Sequence, residues 1–199
     1  MGDLADSMNA ALEKLDYPQH PKEAYRYFVG DGMAMLAQRV LPQADRNEEN
    51  IDKCLQGMRT EYANRWADTT RPYDGIAELL AGLDERGLKK VVLSNKPDDM
   101  TKLTVEKLLA DFKFDIVQGV SDEVPSKPDP AGALAIAYEL GLSPDEFLYL
   151  GDTNTDMQTA NNVGMYAVGA AWGFRDADEL KANGAQIVVE KPTDVLDLL

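Results

Sequence analysis

The 199-residue sequence predicts an α/β protein, a parallel sheet covered by helices on both faces, preceded by an all-helical unit. Residues 3 to about 70 show only helical periodicity. After Arg71-Pro72 short apolar runs alternate with helical segments, which is the rhythm of strands joined by crossover helices. The predicted units are therefore residues 1–70 and 71–199.

In the first unit Leu4, Met8, Leu12 and Leu15 share one helix face, and Ile51, Leu55, Met58, Tyr62 and Trp66 share another. PQHP and VGDGM break the chain between them, and a further helix is expected from about 31 to 41, before Pro42. A small core on Leu12, Leu15, Ile51, Leu55 and Met58 follows from these faces. In the second unit IAELLAGLDERG is a helix closed by Gly87, VVLSN a strand and DMTKLTVEKLLADF a helix. FDIVQGV is a strand, PAGALAIAYELG a helix, FLYLGD a strand, TDMQTANNVG a helix and YAVGAAW a strand. GAQIVVEKPTDVLDLL adds a short strand and a last helix.

Composition narrows the function. A net charge of −15 disfavours nucleic acid and anionic membrane surfaces, both of which draw basic patches. No run reaches the ~18 apolar residues of a membrane span, and the acidic, polar MGDLADSMNA is unlike a secretory signal, so a cytoplasmic protein is expected. The single cysteine, Cys54, lies among apolar neighbours at helical spacing and reads as core; the lone His20 is given no role.

Three strand ends in the second unit carry polar groups of different kinds: Ser94 and Asn95 after VVL, Lys127 in VPSKPDP, and Asp152 and Asp156 after LYL. Singly, each has a bland reading as a helix cap or a solvated lysine. Together they place a hydroxyl and an amide, a cation and a carboxylate pair on one edge of one sheet, where open α/β folds bind ligands. Donors, a fixed positive charge and carboxylates that hold Mg²⁺ are what a phosphate group needs.

VVLSNKP, SKPDP and GDTNTDM, in this order and spacing, resemble the second to fourth motifs of the haloacid dehalogenase superfamily of phosphatases. DLADSMNAALEKL, VGDG, RPYDGI and AAWGFR are similar to its phosphoglycolate phosphatase branch. The resemblance implies a Rossmann-like core with a helical cap, and an Mg²⁺-dependent phosphatase acting on a small phosphorylated substrate such as 2-phosphoglycolate, as monomer or homodimer. It assigns phosphoryl binding to Ser94 and Asn95, charge neutralisation to Lys127, the metal to Asp152 and Asp156, and a cap loop to Gly30 and Gly32. Haloacid dehalogenation, which needs no metal, would leave the two aspartates idle.

The family pattern also includes a first strand ending in a DxDGT-type motif, whose first aspartate attacks phosphorus and forms an aspartyl-phosphate that water then hydrolyses. These 199 residues contain no such motif, and Asp3 and Asp6 lie in a helical pattern with no strand before them. The expectation is a truncated or late-started phosphatase, nearly inactive as written; the alternative is a non-catalytic phosphate- or partner-binding protein. In the family the first strand lies between VVLSN and LYLGD. If some ten backbone groups beside its place were buried without partners, at roughly 1–3 kcal/mol each the cost would be on the order of 10–30 kcal/mol. That rivals or exceeds the stability of a typical domain, about 5–15 kcal/mol. Strands 91–95 and 148–152 would then have to pair directly, or another segment fill the place.

Overall fold

The computed structural model describes residues 1–199, which form two compact units, Met1–Arg71 and Pro72–Leu199. The first is helical: α1 (Gly2–Lys14), the short α2 (Tyr25–Phe28), α3 (Gly32–Val40) and α4 (Glu48–Arg65), with 3₁₀ turns at Lys22–Ala24 and Gln43–Asp45. Small residues let α1 and α4 approach closely, since a Cβ on Gly57 would stand 3.2 Å from the Ala11 Cβ. That line of approach decides which faces are buried. Ala5, Met8, Ala11 and Leu12 of α1 and Cys54, Met58 and Tyr62 of α4 are buried, and the two helices pack on one another. Leu12 and Met58 are thus core as expected, whereas Leu15, Ile51 and Leu55 stay half-buried because the Ala11–Gly57 contact turns the α4 stripe toward Cys54 and Met58. Cys54 Sγ lies 3.5 Å from Met8 Sδ, and burial pushes its thiol up to about 11, so it packs as an inert hydrophobe. The His20 ring sets Nε2 2.7 Å from the Val40 carbonyl oxygen and packs T-shaped with the Phe28 ring, centroids 5.1 Å apart.

Asp3, in the first turn of α1, is 2% exposed. Its carboxylate accepts from the N–H of Thr69 at 2.9 Å and of Thr70 at 2.8 Å, and from both threonine hydroxyls. Burial alone would raise its pKa, but these four donors hold it well below the usual carboxylate range. A depressed folded pKa contributes stability that is present above the unfolded value and lost as pH falls through the folded one. Asp3→Ala is therefore expected to destabilise the first unit at pH 7 by about 2–4 kcal/mol, with a smaller effect in strong acid. Urea unfolding followed through Trp66, the tryptophan of this unit, measures it; equal midpoints at pH 7 would contradict the assignment. Asp6 is paired with Lys22 at 2.6 Å.

The second unit runs α5 (Ile76–Glu85), β1 (Val91–Pro97), α6 (Asp98–Leu108), β2 (Ile116–Val120), α7 (Ala131–Leu140), β3 (Leu148–Gly151), α8 (Asn154–Val163), β4 (Tyr166–Ala170), α9 (Ala177–Ala182) and β5 (Ile187–Val189). The α/β alternation read from the sequence is the one the chain adopts. Two details differ. The six residues of α9 are too few for periodicity to reveal, although Asp176 caps them by accepting from the Glu179 N–H at 2.9 Å. The last helix, Pro192–Leu198, is 3₁₀.

Every strand pair is parallel, but the strands fall into two sheets, β1-β2 and β3-β4-β5. Successive residues of β4 feed opposite faces: Ala167 joins Met157, Ala160 and Leu180, while Val168 joins Leu79, Val189 and Val195. β1 and β3 neither pair with one another nor have a strand between them, so direct closure is not what the chain does. A cleft of about 800 Å³ is lined by both, among them Val91 and Leu93 of β1 and Leu148 and Leu150 of β3. All of β1 and all of β3 but Gly151 are only half-buried, whereas β4, paired on both sides, is buried at four of its five positions.

Candidate functional site

The carboxyl ends of β1 and β3 meet at Lys127. Asn95, near the end of β1, clasps the lysine backbone reciprocally: its Nδ2 donates to the Lys127 carbonyl at 3.1 Å and its Oδ1 accepts from the Lys127 N–H at 2.6 Å. This fixes the start of the side chain, and the ammonium at its far end donates to the Leu93 carbonyl at 3.0 Å and to Asp156 Oδ1 at 2.7 Å. The Lys127 and Asp156 side chains are 12% and 8% exposed. Such a pair is held by geometry and added hydrogen bonds, because solvent screens it little. Ser94 is next in the chain to Asn95, and its Oγ accepts from the Lys96 N–H at 3.1 Å, so it caps the turn that follows.

Asp156 lies in the first turn of α8, where GDTNTD makes a capping box: Thr153 Oγ1 accepts from the Asp156 N–H, and Asp156 Oδ2 accepts from the Thr153 N–H at 3.0 Å and its hydroxyl at 2.6 Å. The Asp152 N–H adds a longer bond at 3.2 Å. Burial works to raise the Asp156 pKa, but the Lys127 charge and these donors outweigh it and keep the carboxyl below its ordinary value. On Lys127 burial opposes the charge, and Asp156 with the other neighbours overcomes it, keeping the ammonium protonated.

Asp152 stands at the end of β3 under different conditions. Burial and then the negative charge of Asp156 push its carboxyl up to about 6, against relief from the Phe174 N–H at 3.1 Å and from Lys127. A buried carboxylate raised by another carboxylate is a site that a cation would relieve, and Mg²⁺ is commonly held by one or two carboxylates with water completing its shell. The residues therefore fit such an ion, with Asp152 the open ligand and Asp156 committed to Lys127 and the helix cap. No third acidic or other metal-ligating side chain gathers with them.

Sequence reasoning passed over the groups that position this pair. Gly151 and Gly173 are required because a Cβ on the first would fall 2.2 Å from the Asp156 Cβ, and on the second 2.2 Å from the Asp152 Cβ and Oδ2. The loop after β4 then delivers the Phe174 N–H to the Asp152 carboxylate and the Arg175 N–H to its backbone carbonyl at 3.2 Å. AAWGFR contains these residues, but nothing in their type marks a backbone donor. Tyr149 was also unforeseen; its hydroxyl is buried beside Lys127 and Asp156, and burial raises it to about 12. Gly30 and Gly32, with φ of 124° and 86°, form the turn before α3, where Asp31 pairs with Arg39.

Residues 3–170 match the haloacid dehalogenase-like hydrolases. A phosphoglycolate phosphatase of Pseudomonas putida is 27% identical over 192 residues, covering 94% of this chain and 70% of its own. An N-acetylmuramic acid 6-phosphate phosphatase of Pseudomonas aeruginosa is 28% identical over 171 residues, covering 85% of this chain and 75% of its own. A crystal structure from Lactobacillus delbrueckii subsp. bulgaricus superposes with a TM-score of 0.93 at 26% identity, covering 99% of this chain and 91% of that one.

Proposed function

We propose that this chain, which belongs to the haloacid dehalogenase-like hydrolase family, holds the phosphate- and metal-handling groups of an Mg²⁺-dependent phosphatase for small monoesters such as 2-phosphoglycolate. The observation that supports the reading is the buried Lys127–Asp156 pair beside the raised Asp152 carboxyl at the converging ends of β1 and β3. Lys127 is fixed by Asn95 and stays charged, so it can face phosphoryl oxygens without reorganising. Ser94 and Asn95 donate to the same oxygens. Asp152 and Asp156 hold Mg²⁺, which when bound supplies positive charge to the phosphoryl group. The helical unit, with Gly30 and Gly32 in its turn, serves as the cap that selects the leaving group. The relatives' names span a two-carbon acid and an amino sugar acid, which agrees with a shared phosphoryl end and a variable remainder.

A second reading, a non-catalytic phosphate-binding protein, is favoured by one observation: Asp156 is already engaged by Lys127 and by the Thr153 cap. The two separate in an assay of phosphate release from 2-phosphoglycolate with Mg²⁺, comparing the 199-residue chain with a version carrying a DxDGT-bearing strand before Met1. The phosphatase reading expects trace turnover from the first and ordinary enzyme rates, roughly 1–10³ per second, from the second, abolished by Asp152→Ala. An extended chain that stays inert while folded supports the binding protein. Ordinary rates from the short chain would mean that another group has taken the nucleophile's place.

A further inference from the structure

We propose that the outward face of α7 is a self-association surface, on which two copies of this chain meet helix to helix, antiparallel, across a two-fold axis. The inference stands on α7 alone and not on phosphatase chemistry. Gly132, Ala133, Ile136 and Ala137 of this helix are buried, two of them in the cluster that holds Met157 and Ala160. On the opposite side Ala131, Leu134, Ala135 and Tyr138 are exposed, Leu134 at 46% and Tyr138 at 90%. Their i, i+3, i+4, i+7 spacing is that of a packing stripe, so α7 is apolar all round yet covered on one side only. Glu139 is its one charged residue. Other exposed apolar side chains stand among charges: Leu103 follows Lys102 and lies a turn from Glu106 and Lys107, and Tyr27 has the Arg26 guanidinium 5.5 Å from its ring centroid.

Charge and shape together select a second copy as the occupant. A basic partner would be drawn to the acidic surface of a chain with net charge −15 and would gain nothing from an uncharged strip. Two copies repel wherever their charges face, so they approach at least cost where neither bears any. The stripe is also its own complement. Centred between Leu134 and Ala135, an antiparallel two-fold sets Tyr138 of each copy over Ala131 of the other and Leu134 over Ala135, a large residue on a small one at each position. A parallel pairing would oppose Tyr138 to Tyr138 and Ala131 to Ala131, crowding one end and leaving a gap at the other. The area limits the strength. The stripe spans about 10 Å of helix axis, well short of the ~800 Å² per partner of a standard interface. The dimer is therefore weak and reversible, with a dissociation constant on the order of 100 µM.

The test is sedimentation of the full chain over a range of concentrations, at low and at high sodium chloride. The expected result is an average mass that rises from one chain toward two, with tighter association at high salt because screening removes the repulsion between the copies. Tyr138→Ala should weaken the dimer roughly tenfold or more. Ala131→Tyr should weaken it too, since the new ring meets Tyr138 of the other copy, although it adds apolar surface. The double variant Ala131→Tyr/Tyr138→Ala exchanges the two members of the pair and should recover most of the affinity. All three substitutions fall on exposed positions, and urea unfolding checks that each variant is as stable as the parent. A single chain at every concentration would overturn the proposal, and so would a dimer indifferent to these variants, which means another surface. Strengthening by Ala131→Tyr alone would mean a sticky patch without register, and weakening by salt an association driven by charge; either would overturn it. Turnover is not read, so failure here leaves the phosphatase reading standing.

Discussion

Lys127→Met is expected to cost the second unit about 3–5 kcal/mol, because it leaves the Asp156 charge buried without its counter-ion. The side chains of the pair are 12% and 8% exposed, so water cannot take over the lost contact. Methionine matches the length of the lysine stem, which separates the loss of charge from the loss of packing. Asp156 would still accept from Thr153 and from the Asp152 N–H, but its repulsion of Asp152 would no longer be offset. Urea unfolding monitored through Trp172, the tryptophan of this unit, gives the number. The double variant Lys127→Met/Asp156→Asn removes both charges together and should recover part of the loss. A single variant as stable as the parent would show that Lys127 is solvated in solution and not paired.

Asp152→Asn should act in the opposite direction. The Asp152 carboxyl is raised to about 6 from an ordinary 3.8. A raised folded pKa contributes stability that is complete below the unfolded value and lost as pH rises through the folded one. Metal-free protein should accordingly lose stability between about pH 4 and pH 6 on account of Asp152, ending with a deficit on the order of 1–3 kcal/mol at pH 7. Asparagine removes the deficit, so the variant should be the more stable protein at pH 7 and level with the parent at pH 4. With Mg²⁺ the order should narrow or reverse, since a ligand at a hundred times its Kd stabilises the form that binds it by about 2.7 kcal/mol. Equal unfolding curves for parent and variant across pH 4–7, with and without Mg²⁺, would contradict the electrostatic description of this pair.

Much of the second unit was legible because its signals are local. Short β-branched runs alternate with glycine-closed helices, and the polar residues Asn95, Lys127, Asp152 and Asp156 fall where strands end. The structure brings these four together within hydrogen-bonding reach of one another. Less legible were groups that act through space they leave empty or through their backbone: Gly151 and Gly173 by lacking a Cβ, Phe174 and Arg175 by their N–H. In the helical unit, periodicity placed the helices but not the buried faces, because the approach of Ala11 to Gly57 is a contact between distant segments. Asp3 shows the same limit, since an acidic residue in a first turn reads as a dipole partner, and its role depends on threonines 66 and 67 positions away.

The most direct measurement of the account is a calorimetric titration of orthophosphate into the 199-residue chain, with Mg²⁺ and with a chelator, for the parent and for Asp152→Ala. Phosphate binding is read in place of turnover because it reports directly on the groups at Lys127, Asn95 and Asp152. The account predicts one saturable site with Mg²⁺, weakened about a hundredfold by the chelator or by Asp152→Ala, a difference near 2.7 kcal/mol. Phosphate binding of the same strength under all four conditions, or no binding in any, would contradict it.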